Sequence, residues 1–192
     1  RDDVESRGLG DVYKRQPNGI PDPGAIGPTG LRECDVVANV GALVQQYLIA
    51  AGVQADYIQN DSLEFICETA NKGAYDLFLS IHCNSFNDTA KGIEVYTSRG
   101  WTNSDNFATC LMNQMANTFP SLDVRADWSD GDVDKEAGLY VLNNTVMPAA
   151  LFELPFISNP VEEAWLRNEN NQDEAAKALA RGVTDYVVQF MA

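Results

Sequence analysis

Three residues stand where a folded chain could use them to bind a metal ion or to move a proton. His82 is the only histidine among the 192 residues, and it follows the apolar run at residues 77–81. Glu153 ends a second apolar run at residues 149–152, and Glu33 lies where a loop rich in glycine and proline meets a helical pattern. The carboxyl ends of parallel strands share one edge of a sheet, where such folds bind ligands. These spacings favour one polar site at that edge.

Together, the three side chains are typical of metal-assisted hydrolysis. Histidine and glutamate are zinc ligands, and a further carboxylate beside the metal can act as a general base. Each residue also has a simpler interpretation. His82 can be a buried polar residue with satisfied hydrogen bonds, and Glu33 taken alone is better explained as an acidic residue at a helix N-terminus. The simpler interpretation is weakest for Glu153, since a carboxylate inside an apolar run is costly without a partner.

The elements that must position these residues alternate between strands and helices. Apolar residues spaced by three and four predict a helix over residues 36–51, which Gly52 is placed to end. The alternation predicts an α/β fold of three layers, with helices on both faces of a mostly parallel or mixed, twisted sheet. The predicted strands cover residues 53–58, 76–81, 92–97, 139–142 and 149–153. Three further helices are predicted over residues 61–70, 105–117 and 175–190. A fourth is predicted to begin at residue 160.

The segment at residues 121–136 is acidic and shows no period. Three of its aspartates have the spacing of the first ligands in a calcium-binding loop: Asp130, Asp132 and Asp134. Position six of such a loop is Lys135 rather than glycine, however, and position twelve is Val141 rather than glutamate. We therefore predict a solvated acidic loop.

Composition excludes several classes of function. The formal net charge is −15 and the pI is about 4.2, which argues against nucleic acid and against electrostatic binding to an anionic membrane. No apolar stretch approaches the length of a membrane span. The four cysteines are predicted to be free thiols in the core, with disulfides as the open alternative. We expect residues 1–16 to be a non-native or disordered leader, because half of them are charged and no apolar core of a signal peptide is visible.

Four segments carry a resemblance to a known family: residues 22–33 (DPGAIGPTGLRE), 80–85 (SIHCNS), 139–149 (LYVLNNTVMPA) and 153–159 (ELPFISN). Their order and spacing resemble the zinc-dependent N-acetylmuramoyl-L-alanine amidases, the amidase type 3 family of cell-wall hydrolases. The resemblance covers nearly everything from residue 23 onward.

This resemblance implies that Glu33 and His82 bind Zn²⁺ and that Glu153 is catalytic. Glu153 would take a proton from a water that zinc activates and pass it to the leaving amine. The substrate would be peptidoglycan, cleaved at the amide between N-acetylmuramic acid and L-alanine of the stem peptide. From its position, Asn84 is a candidate for holding the substrate peptide or the oxyanion. We expect a monomer that acts outside the cell or in the cell wall.

The chain departs from the family at its start. The family's first zinc ligand is a histidine in a Gly-His turn after the first strand, and residues 1–16 contain no histidine. We therefore expect residues 17–192 to form a catalytic domain that lacks its first strand. A catalytic zinc usually has three protein ligands, whereas two are found here. Two functions stay open, an active amidase and an inactive relative that binds wall peptides. An unrelated α/β hydrolase is disfavoured, since no G-x-S-x-G motif is present.

Overall fold

Six strands in the described part of the chain form one mixed sheet. The computed structural model describes residues 9–12, 22–60, 62–129 and 131–191. The strands are β1 (Leu9–Val12), β2 (Tyr57–Asn60), β3 (Phe78–Cys83), β4 (Glu94–Thr97), β5 (Lys135–Glu136) and β6 (Ala149–Leu154). Their order across the sheet is β2-β1-β3-β6-β4-β5. β4 runs antiparallel to β6, and every other neighbouring pair is parallel.

Helices cover both faces of this sheet. They are α1 (Glu33–Ala50), α2 (Leu63–Lys72), α3 (Asn103–Thr118), α4 (Tyr140–Asn144), α5 (Pro160–Arg167) and α6 (Glu169–Tyr186), followed by a π-helical turn (Val187–Met191). Leu79 and Phe152 of the central strands belong to an apolar cluster with α1, α3 and α6. Phe78 and Leu151, one residue away, belong to a second cluster with α2 and α4. The predicted three-layer α/β fold is confirmed.

Local sequence signals explain where several helices begin and end. Gly52 has a positive φ of 84° directly after α1, as the sequence predicted for a residue that ends a helix. Thr102 and Asp105 form a reciprocal capping box at the start of α3. Asn159 caps α5 with its side chain, and Pro160 occupies the first turn.

Strand β1 corrects the predicted leader. Leu9–Val12 pairs with β2 over its whole length, and Gly10 pairs with Ser80 of β3. The expectation of an unstructured leader, and of a domain without a strand at this place, is therefore wrong for these four residues. The rest of residues 1–16 lies outside the described residues. Four residues between charged neighbours carry too short a pattern to predict a strand, because the pairing depends on strands distant in sequence.

The strand predicted at residues 139–142 is also wrong, since Tyr140–Asn144 is helical. Val141 and Leu142 are buried, whereas Tyr140 is 45% exposed. A short apolar run does not distinguish a strand from a buried helical turn. The strand predicted at residues 53–58 begins later, at Tyr57.

The segment at residues 121–136 is not the solvated loop that its composition indicated. Asp132 and Asp134 are only 8% and 1% exposed, and the intervening Val133 is buried. The segment also supplies β5 and an isolated bridge between Ile93 and Val124. Composition missed this burial because the contacts that shield the two aspartates come from other parts of the chain.

The four cysteines are buried free thiols, as predicted. Among the described residues, no helix combines the length and the apolar character that crossing a bilayer would require.

A glycine on α6 provides a test of the helical layer. A Cβ added to Gly182 would lie 2.7 Å from the Cα of Leu111 on α3 and 3.1 Å from the carbonyl oxygen of Cys110. Gly→Ala in a helix normally stabilises a protein by about 1 kcal/mol. Here we expect Gly182→Ala to lower the free energy of unfolding by about 1–3 kcal/mol, because two backbones must separate. Urea unfolding measures this difference.

The matched control is Gly138→Ala. A Cβ at Gly138 meets nothing closer than Asn143 Nδ2 at 3.7 Å, so stability should change little. A Gly182→Ala protein as stable as the parent would contradict the close approach of α3 and α6.

Candidate active site

Three ionisable side chains lie in one row across the sheet. His82 of β3 is paired with Glu153 of β6, and Glu94 of β4 is paired with the same Glu153. Paired residues on neighbouring strands point to the same face. Phe78 lies four residues before His82 on β3 and packs with α2 and α4, so the row faces that layer. The row lies at the carboxyl ends of β3 and β6, which is the edge that the sequence predicted.

Glu33 reaches this row from the first residue of α1. Its Oε1 is 3.0 Å from Nδ1 of His82 and accepts a hydrogen bond from the Cys83 amide at 3.1 Å. Its Oε2 accepts a hydrogen bond from the Ala25 amide at 2.8 Å. Burial alone would raise the pKa of Glu33, but His82 and the two amides together lower it. Glu33 is therefore an ionised partner of His82 rather than an acidic residue that only suits a helix terminus.

The loop before Glu33 is held by a second buried carboxylate. Glu163 of α5 accepts hydrogen bonds from the amides of Thr29 at 3.0 Å and Leu31 at 3.2 Å. Gly27 is required beside it, since a Cβ there would lie 2.4 Å from Glu163 Oε1. This contact fixes the path of the chain into Glu33.

Glu153 carries a buried oxygen, Oε2, that has no hydrogen-bond partner among the described residues. Burial raises the pKa of Glu153 to about 7, and the carboxylates of Glu33 and Glu94 add to this rise while His82 opposes it. A carboxyl group that titrates near neutral pH can both accept and release a proton. Its position and its pKa therefore suit a general acid or base.

Glu94 is the centre of a network that the sequence did not reveal. Its side chain is 4% exposed, and its Oε1 bonds to Arg125 and, at 2.8 Å, to Nζ of Lys135. Its Oε2 accepts hydrogen bonds from the Tyr96 hydroxyl at 2.6 Å and from Nδ2 of Asn84 at 2.8 Å. Burial alone would raise the pKa of Glu94, but these four contacts lower it to about 2. Glu94 is thus a fixed negative charge beside Glu153.

The structure brings together all four residues predicted for the site. Glu33 contacts His82, and His82 faces Glu153. Asn84 lies just after β3, where its backbone bonds to Leu154 and Ile157 and its side chain bonds to Glu94. These positions are facts of the fold, whereas the role of each residue remains a prediction.

One signal could have identified Glu94 from the sequence. The alternation at residues 92–97 places Glu94 and Tyr96 on one face of the predicted strand, which was the signal that Glu94 belongs to the sheet. No such signal exists for Arg125 and Lys135, because they come from the segment that composition indicated to be a loop.

Comparison with known proteins decides the family. A family model described as N-acetylmuramoyl-L-alanine amidase, Amidase_3, matches residues 18–185. The chain belongs to this family. The resemblance that the four sequence segments indicated is therefore confirmed, and the relatives of this amidase domain act on the cell wall.

Individual relatives agree with this assignment. The uncharacterized protein YqiI of Bacillus subtilis is 31% identical over 184 residues, which are 93% of this chain and 85% of that protein. The N-acetylmuramoyl-L-alanine amidase LytC of Bacillus subtilis is 33% identical over 88% of this chain, which spans only 34% of LytC. The solved amidase AmiC2 of Nostoc punctiforme superposes with a TM-score of 0.82 at 26% identity, covering 96% of this chain and 98% of that one.

Members of the family are generally zinc-dependent, and two residues of the row suit that metal. Glu33 Oε1 and His82 Nδ1 are 3.0 Å apart, close to the roughly 3.3 Å that separates neighbouring ligand atoms at tetrahedral zinc. The orphaned oxygen of Glu153 is on the same face. A metal ion could be held by a set of three or more His, Cys, Asp or Glu side chains that lie close enough together. Among the described residues, no such set includes Glu33 or His82. The donor set therefore fits zinc in type and spacing but is one ligand short of the usual three.

The Glu94 network makes stability depend on pH. Its pKa of about 2 lies below the ordinary value of 4.5, so its contribution is complete above pH 4.5 and is lost as the pH falls toward 2. We expect Glu94→Gln to lower the free energy of unfolding by about 3 kcal/mol at neutral pH. The variant should also lose less stability than the parent between pH 4.5 and 3. Urea unfolding at several pH values measures both effects.

The control for this prediction is Glu64→Gln, a change in an exposed carboxylate in the first turn of α2. It should change stability by only a few tenths of a kcal/mol at any pH. Parallel pH profiles for the parent and Glu94→Gln would show that Glu94 is not the ionised centre of this network.

Proposed function

We propose that this chain is a zinc-dependent peptidoglycan amidase that cleaves the bond between N-acetylmuramic acid and L-alanine. One observation carries the proposal: His82 and Glu153 face each other across β3 and β6 while Glu33 contacts His82. A ligand pair beside a separate carboxyl of raised pKa is the arrangement that amide hydrolysis requires. The family and its cell-wall relatives supply the substrate class.

In this proposal, Glu33 and His82 would hold the zinc ion. Zinc bound there supplies a Lewis acid that polarises a carbonyl group and makes a bound water more acidic. The chain keeps Glu33 ready for this role, because the amides of Ala25 and Cys83 hold its carboxylate in place and keep it ionised. The same amides limit the movement of Glu33 away from His82.

Glu153 moves the proton in this proposal. Its Oε2 receives the proton of the attacking water and returns it to the nitrogen of the departing L-alanine. A pKa of about 7 lets Glu153 do both near neutral pH. Burial is the main cause of that raised pKa, and Glu94, which is itself held by Arg125 and Lys135, adds to the rise by its fixed negative charge.

The remaining assignments concern substrate and location. Asn84 is proposed to hold the substrate peptide or the oxyanion, since it follows β3 directly and is anchored on Glu94. The chain is proposed to act as a monomer, outside the cell or in the wall. Its net charge of −15 offers no general attraction to an anionic wall, so substrate binding should come from contacts at the site.

A second function is favoured by one specific observation, which is that the described residues bring together two of the proposed zinc ligands where three are usual. A site with two ligands would hold zinc weakly, and the chain would then bind wall peptides without cutting them. The two functions share the same fold and the same substrate, and they differ in metal affinity and in turnover.

The role of Glu153 predicts the behaviour of Glu153→Gln. Glutamine keeps the shape but cannot accept a proton, so kcat for release of L-alanine amino termini from muramoyl peptides should fall about 10²- to 10⁴-fold. The raised pKa means that ionised Glu153 costs stability above its ordinary pKa of 4.5. The variant should therefore be at least as stable as the parent at pH 8, where thermal unfolding of metal-free protein is compared.

Glu169→Gln is the matched control, because Glu169 is an exposed first-turn carboxylate on α6. It should leave kcat unchanged. Activity of Glu153→Gln within tenfold of the parent would eliminate Glu153 as the proton carrier.

The second function predicts weak zinc binding and little activity for the chain as it stands. Replacing residues 13 and 14, which follow β1, by Gly-His should then raise zinc affinity at least about tenfold and raise activity with it. His82→Ala should abolish zinc binding in both proteins. Isothermal titration with Zn²⁺ and the cleavage assay measure these effects. Full activity in the unmodified chain would contradict the argument that a ligand is lacking.

A further inference from the structure

Three buried aspartates meet on the other face of the sheet from Glu94. One carboxylate oxygen from each of Asp105, Asp132 and Asp134 lies within 4.8 Å of the other two. Their side chains are buried, with exposures of 1%, 8% and 1%. Asp105 belongs to the first turn of α3, and the other two belong to the segment that leads into β5. We name these residues the aspartate cluster.

One carboxylate oxygen of Asp105 and one of Asp134 are satisfied by the chain. Asp105 Oδ2 accepts hydrogen bonds from the amide and the hydroxyl of Thr102, at 2.6 and 3.1 Å. Asp134 Oδ2 accepts one from the hydroxyl of Thr97 at 2.6 Å. These contacts fix the orientation of both carboxylates.

The other carboxylate oxygen of Asp105 and of Asp134 is not satisfied. Oδ1 of Asp105 and Oδ1 of Asp134 are buried and have no hydrogen-bond partner among the described residues. No lysine or arginine of the described residues forms an ion pair with either side chain. A buried carboxylate oxygen without a donor or a cation is costly. Burial and the neighbouring carboxyl groups accordingly raise the pKa of Asp134 to about 7.

We propose that Asp105, Asp132 and Asp134 bind a calcium ion at a site separate from the zinc ligands. The donors are all carboxylate oxygens, which hard cations prefer, and no imidazole or thiolate belongs to the cluster. Ca²⁺ is commonly bound by several carboxylates, whereas Mg²⁺ keeps several of its waters and usually takes one or two carboxylates. A cluster of three buried carboxylates therefore suits calcium better.

The proposed ion would stabilise the Glu94 network from the opposite face of the sheet. Asp134 directly precedes Lys135, the first residue of the two-residue strand β5. Lys135 pairs with Tyr96 of β4 and sends its Nζ to Glu94 on the opposite face. A cation that holds Asp134 would thus hold β5, and β5 would hold Lys135 on Glu94. The site is structural and makes no contact with substrate.

The calcium-loop pattern in the sequence could not reveal this site. That pattern requires consecutive ligands in one loop, with glycine at position six and glutamate at position twelve. The cluster instead takes Asp105 from a helix that precedes the loop. Burial and the two orphaned oxygens, rather than loop spacing, carry the inference.

The test uses the full chain after treatment with a chelator. Isothermal titration with CaCl₂ should show one saturable site, and calcium at about 100 times Kd should raise Tm by about 5–10 °C. Asp134→Asn should weaken calcium binding at least tenfold. It should also raise Tm in calcium-free buffer, because it removes a crowded negative charge. Asp132→Asn provides a second variant with the same expected loss of the calcium response.

Two controls separate this site from others. Asp127→Asn changes an exposed aspartate in the same segment and should keep the calcium affinity of the parent. His82→Ala, which removes a proposed zinc ligand, should keep the calcium response as well. The calcium site is therefore tested by binding and Tm, independently of amidase activity.

Three results would overturn the proposal. The first is a folded parent chain whose titration and Tm do not respond to CaCl₂, which would mean that the carboxyl groups share protons instead. The second is unchanged calcium affinity in Asp134→Asn and Asp132→Asn. The third is tighter binding of MgCl₂ than of CaCl₂.

Discussion

The parallel pairing of β3 with β6 in a single register decides where every group of the site lies. It sets His82 opposite Glu153 at the carboxyl ends of two buried strands. A slip of one residue would turn Glu153 toward the opposite face, where its neighbours Phe152 and Leu154 pack with α1, α3 and α6. The register is enforced by burial, because the two faces of each strand pack into different apolar clusters. Packing of the core and placement of this row are therefore one constraint.

Glu94 and Glu153 are neighbouring buried carboxyl groups of this row, and they differ in ionisation. Glu94 is neutralised by Arg125 and Lys135, so it is ionised and rigid. Among the described residues, no donor or cation lies at hydrogen-bonding distance from Oε2 of Glu153. Burial therefore raises the pKa of Glu153. The same physical rule separates the two groups: a buried carboxylate that many donors surround stays ionised, and one whose oxygen lacks a donor has a raised pKa.

Buried carboxylates also organise the loops around the site. Glu163 holds the loop that leads into Glu33, and Glu162 accepts hydrogen bonds from the amides of Gly92 and Phe156. Their place in the sequence indicates only that they are acidic residues of the first turn of α5. Their side chains in fact join segments that are far apart in the chain.

The sequence was sufficient for the fold class and for the placement of His82 and Glu153 at strand ends, because these depend on local patterns. Apolar runs that end in His82 and Glu153 show buried strands and polar ends without any knowledge of the partner strand. The strand Leu9–Val12 and the burial of Asp134 depend instead on contacts between distant segments. The strand prediction at residues 139–142 was wrong for a third reason, because four apolar residues fit a helical turn as well as a strand.

The most direct measurement is a crystal structure of the zinc-loaded chain with the metal located by anomalous scattering at the zinc edge. We predict zinc bound to Glu33 Oε1 and His82 Nδ1 at about 2.0–2.2 Å, with Glu153 on the same face but not coordinated. Zinc at the aspartate cluster, or a saturated crystal with no metal at His82, would contradict the central claim that this row is the zinc centre of an amidase.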